Sequence, residues 1–102
     1  MTVIVLPEAE LEAAEAIIWY DDQRFGLGQE FLDELRQVLD RIGGGPAEQS
    51  RLENYAGPHD VRRCLLKRFP YSVVFACRPD AVLIVAVSHV RRQPLYWLDR
   101  LN

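Results

Sequence analysis

Three apolar runs in the last forty residues decide the fold. They read Val61-Arg62-Arg63-Cys64-Leu65-Leu66-Lys67-Arg68, Tyr71-Ser72-Val73-Val74-Phe75-Ala76-Cys77-Arg78, and Ala81-Val82-Leu83-Ile84-Val85-Ala86-Val87-Ser88-His89-Val90-Arg91-Arg92. β-branched and aromatic residues fill all three, and Phe69-Pro70 and Pro79-Asp80 separate them. Short links of this kind join antiparallel neighbours, so the runs predict a three-stranded meander. In the first strand Arg63 and Lys67 share one face. The third is apolar on both faces, as a central strand covered by helices would be.

Working back towards the N-terminus, residues 46–60 read as loop, with Pro46, Ser50, Asn54, Gly57 and Pro58. Before them, Leu27, Phe31, Leu35, Val38, Leu39 and Ile42 recur with a helical period, and Gly43-Gly44-Gly45-Pro46 stops the pattern. An earlier helix starts at Pro7, where the missing N–H costs nothing. Glu8, Glu10 and Glu12 place negative charge at its N-terminus, as the helix dipole favours. Leu11, Ala14, Ile17, Ile18 and Phe25 mark its expected apolar face, and Gly26 and Gly28 end it. Val3–Leu6 forms a short apolar run able to join the sheet. The expected fold is α+β, in the order β-α-α-β-β-β, with a helical hairpin packed on one face of an antiparallel sheet.

At 102 residues the chain is expected to form one domain, residues 1–102, large enough for a single core. Its longest unbroken apolar stretch, Ala81–Val87, is far short of a membrane span. The N-terminus lacks the basic segment of a signal peptide, so a cytoplasmic location is expected. Cys64 and Cys77 have no metal-ligand spacing and read as two apolar thiols; no metal or organic cofactor is expected. The net charge of −3 hides a dipole. Residues 1–60 hold thirteen acidic and four basic residues, a net of −9, whereas residues 61–102 hold eight basic and two acidic ones, a net of +6. Two surfaces of opposite sign suit two different partners.

Two segments resemble one family. They are Arg63-(x5)-Phe69-Pro70-Tyr71-Ser72-Val73-Val74-Phe75 and Ala86-Val87-Ser88-His89-Val90-Arg91-Arg92-Gln93-Pro94-Leu95-Tyr96-Trp97. Together with Ala16-Ile17-Ile18-Trp19-Tyr20 and Gly28-Gln29-Glu30-Phe31-Leu32, they resemble the RelE/ParE superfamily of type II toxin–antitoxin modules, more its ParE (plasmid stabilisation) branch. The resemblance implies a growth-inhibiting toxin held inactive by a cognate antitoxin in a hetero-oligomer. The antitoxin would dock as a helix or strand on the helical hairpin and the sheet edge. The ParE branch is associated with inhibition of DNA gyrase; the RelE branch cleaves mRNA on the ribosome.

These branches give the same residues different tasks. Cleaving RNA needs proton transfer and positive charge on the phosphate, for which His89, Arg91, Arg92, Tyr96 and Arg63, with Lys67, are the candidates. Against this, aligning the nuclease family's final tyrosine with Tyr96 puts Val90 where its catalytic arginine stands. The chain is also acidic, with a pI near 5.3, whereas ribosome binders are basic. A target-binding surface of Arg91, Arg92, Tyr96, Trp97 and Arg100 has instead the composition of a protein interface hot spot. An inert interaction domain with the same fold is a third alternative.

Overall fold

A computed structural model describes residues 1–101. Strand β1 (Thr2–Val5) leads into helix α1 (Pro7–Gln23) and helix α2 (Leu27–Gly44), followed by β2 (Ser50–Arg51), β3 (Asp60–Leu65), β4 (Tyr71–Cys77) and β5 (Ala81–His89). The five strands form one sheet in the order β1-β5-β4-β3-β2. The meander of β3, β4 and β5 is antiparallel, as the short links require. β1 pairs with β5 in parallel, Thr2 opposite Ala81 and Val5 opposite Ile84, so the sheet is mixed. The chain between them, the helical hairpin followed by β2, β3 and β4, makes the long crossover that a parallel pair needs. β2, two residues beside Arg62 and Arg63, lies within the stretch read as loop and is too short for any periodic signal.

Helix α2 buries the stripe its sequence announces: Phe31, Leu35, Val38 and Ile42 are all in the core. Gly28 packs where a Cβ would lie 2.5 Å from the Ile17 carbonyl oxygen, so the two helices touch through backbone there. Helix α1 departs from expectation. It buries Ala9 and Ala16, with Ala13, Ile17 and Tyr20 partly covered, while Leu11 (61% exposed), Ala14 and Ile18 (62%) face outward. Phe25 is exposed too. α1 is apolar on two faces, and the alanine face wins because small side chains let the helix approach the sheet closely. The first core therefore lies between the hairpin and Val73, Phe75, Val82, Ile84 and Val87.

A second core covers the sheet's other face. Val61, Val74, Ala76, Val85, Ala86, Trp97 and Leu101 are buried together there. The chain reaches that face by turning at Leu95 (φ 61°) and running through a 3-10 turn at Leu98–Leu101. Pairing between β4 and β5 slips after Val74, which lies opposite Ala86, so that Phe75 lies opposite Ile84. Val85 is thus the extra residue of a bulge, which lets Val85 and Ala86 both join the second core.

Candidate functional site

The expected site residues lie around the end of β5, and a residue from α1 organises them. Where β1 leaves the sheet, the edge of β5 would carry unpaired backbone groups. Glu12 takes the place of the missing strand, accepting the Val87 N–H at 3.0 Å. The same carboxylate accepts the Tyr96 hydroxyl at 2.6 Å and both terminal nitrogens of Arg100, at 3.0 and 3.1 Å. Arg100 also donates to the carbonyl of the bulged Val85 at 3.1 Å. Only 12% of the Glu12 side chain and 15% of that of Arg100 is exposed, so this ion pair is shielded from water. Glu12 holds the guanidinium proton of Arg100 more tightly than usual. Burial, and then the bond to Glu12, pushes the Tyr96 phenol above its ordinary value.

Arg92 completes the cluster from the outside. Its guanidinium stacks 3.9 Å from the centre of the Tyr96 ring and lies 4.0 Å from Glu12, while about half of its side chain stays exposed. His89 ends β5 opposite Tyr71, with the two rings edge to face at 5.1 Å. Its Nδ1 accepts the Arg91 N–H at 3.0 Å, which leaves the other ring nitrogen to meet partners. The guanidinium of Arg91 makes no hydrogen bond among the described residues, and Val90 beside it is exposed.

The structure therefore gathers His89, Arg91, Arg92, Tyr96 and Arg100, with Arg63 at their margin, sets Lys67 apart and buries Trp97. Arg63 is exposed on β3 and shares a shallow hollow of about 170 Å³ with Ser88, His89, Arg92 and Tyr96. Lys67 lies elsewhere, in the β3–β4 turn beside α2, where the Glu34 carboxylate accepts the backbone N–H groups of Lys67 and Arg68. Trp97, expected on the target-binding surface, is only 3% exposed; its indole fills the second core because the C-terminal segment folds back over the sheet. Arg100, expected there too, has its charge committed to Glu12.

Sequence reading missed Glu12, taken there as a helix N-terminal charge. The available signal was its place on the same helical face as Ala9, Ala13 and Ala16: a carboxylate within an alanine stripe must find partners. It also missed a cleft of about 650 Å³ on the helical side of the same strand end, walled by Trp19, Tyr20 and Tyr71 with Glu15 on its rim. Burial raises the pKa of Tyr71 there, helped by Tyr20, Glu12 and Glu15. Cys64 and Cys77 are free thiols, and burial raises the pKa of Cys77.

The family profile described as "ParE toxin of type II toxin-antitoxin system, parDE" matches residues 3–94. The chain belongs to the ParE toxin family. The match runs from β1 through the gathered residues of β5 to Pro94. Among solved structures, this ParE family member is similar to a chain of the chromosomal ParDE toxin–antitoxin system from P. aeruginosa. That likeness has a TM-score of 0.63 at 16% identity and covers 87% of this chain and 95% of the other. At that identity it speaks for the fold. No curated protein is a significant match. No helix among the described residues of this ParE chain is long and apolar enough to cross a membrane.

Proposed function

We propose that this ParE family toxin arrests growth by binding a protein target, DNA gyrase in the first instance, and that a cognate antitoxin neutralises it by covering its surface. The observation that carries this reading is the commitment of Tyr96 and Arg100 to Glu12. A nuclease would need the tyrosine hydroxyl and an arginine free to work on a phosphate. Here the Tyr96 hydroxyl is held by the internal Glu12 carboxylate, which Arg100 also occupies, so the outward Arg91 has no free tyrosine to work with. What remains outward at the strand end is Val90, Arg91 and Arg92, with Arg92 stiffened by stacking on Tyr96. A rigid arginine beside an exposed apolar residue suits recognition of a folded protein. The acidic helical half, net −9 over residues 1–60, gives an antitoxin a second surface of opposite charge.

The test uses purified protein in two assays, DNA supercoiling by gyrase and ribosome-programmed mRNA cleavage. Inhibition of supercoiling that is weakened by the double substitution Arg91→Ala/Arg92→Ala, and relieved by the protein encoded beside this one, is the expected result. Cleavage of mRNA with no effect on gyrase would overturn the proposed target. Unchanged growth on induction would overturn toxicity itself.

A further inference from the structure

We infer that the cleft between α1 and the β4–β5 strand ends is a binding site for an arginine side chain presented by a partner polypeptide. The cleft is built from one face of α1, on which Glu12, Glu15, Ala16, Trp19 and Tyr20 follow at helical spacing, and from Tyr71 and His89 across the sheet end. At about 650 Å³ it readily admits one long side chain. Its walls are aromatic. Trp19 and Tyr20 meet edge to face at 5.1 Å, Tyr20 lies 6.1 Å from Tyr71, and Tyr71 packs on His89. Trp19 is 57% exposed, which is costly for so large a ring unless something covers it.

The charge at this cleft is negative and free. Glu15 makes no ion pair and no side-chain hydrogen bond among the described residues, and it acts on the Tyr71 phenol across the cleft. The one arginine on the rim, Arg92, is turned to Tyr96 and Glu12. An unpaired carboxylate beside aromatic faces selects a cation that can stack as well as donate. A guanidinium does both in one plane, whereas an ammonium only offers a point charge. The outward residues Leu11, Ala14 and Ile18 continue the apolar surface along α1 from the cleft, giving the polypeptide that carries the arginine a strip on which to lie.

The inference rests on the reading that a partner polypeptide covers this toxin. Its test needs no such partner, so a negative result here leaves antitoxin neutralisation standing. The isotopically labelled protein is titrated with N-acetyl-arginine amide, and with the citrulline and lysine amides as neutral and ammonium counterparts. Saturable NMR shifts at the Trp19 indole N–H and the Tyr71 and His89 amides, strong for arginine and absent for citrulline, are expected. Glu15→Gln should weaken the arginine response about fivefold, the scale of one partly solvated ion pair, and Trp19→Ala should abolish it. Glu15 and Trp19 are both exposed, so the variants keep the fold, and the same spectra report it. An equal response to citrulline or lysine would overturn the assignment. So would an unchanged response in Glu15→Gln, or shifts spread over the acidic face of α2.

Discussion

Replacing Glu12 by alanine should cost this small protein much of its stability. The carboxylate accepts from the Val87 amide, the Tyr96 hydroxyl and two nitrogens of Arg100, and it is almost closed to water. Its removal leaves the Arg100 guanidinium buried without its counter-charge and opens the edge of β5. Breaking a buried ion pair from one side costs about 3–5 kcal/mol, and the slight exposure here places the loss near ~3 kcal/mol. For a chain of this length each kcal/mol moves Tm by roughly 4–8 °C, so a fall of roughly 12–24 °C is expected. Urea denaturation gives the free energy directly, and amide exchange at Val87 should accelerate with it. A double-mutant cycle with Arg100→Met separates the pair from the rest: the second substitution should cost little once Glu12 is gone, because no unpaired charge remains. A loss below about 0.5 kcal/mol for Glu12→Ala, the level of an exposed ion pair, would refute the idea that Glu12 clamps the C-terminal segment.

Trp97→Ala should destabilise by about 3–5 kcal/mol in denaturant melts, as a core indole does, rather than alter target affinity at constant stability. Gly28→Ala forces a Cβ to within 2.5 Å of a backbone oxygen, and the helices must part; a loss of about 1–3 kcal/mol is expected by the same measurement. The phenols of Tyr20, Tyr71 and Tyr96 all have raised pKa values. The folded state thus holds these protons longer than the unfolded chain. Stability should be fully present below the ordinary tyrosine value of 10.0 and fall as pH rises beyond it, with Tyr96→Phe reducing the slope of Tm against pH.

The parts of the fold that were legible in sequence are those where one surface of an element is apolar or where links are too short to allow choice. The α2 stripe from Phe31 to Ile42 has a single reading, and the links at Phe69-Pro70 and Pro79-Asp80 leave the meander no alternative. Helix α1 has two apolar faces. Periodicity favoured the larger residues Leu11 and Ile18, whereas packing distance favoured Ala9, Ala13 and Ala16. The direction of β1 depended on where the hairpin returns the chain, which no local pattern encodes. That His89, Arg91, Arg92 and Tyr96 lie near one another was legible because polar and aromatic residues follow closely at the strand end. Glu12 escaped because its partners lie 75 to 88 residues away. Trp97 was misplaced because a tryptophan followed by a charged tail reads equally well as surface or core until the turn at Leu95 is known.

The pairing of β1 with β5 also has a consequence in time. The first strand finds its neighbour only at residues 81–84, and Glu12 finds Arg100 only across a separation of 88 residues. Helix α1 can form early, yet during synthesis its alanine face has no sheet to cover. Contacts of such long sequence separation close late. A nascent chain therefore lacks its finished surface until residues 81–100 have been made, and until then the sheet-facing side of its helices stays uncovered.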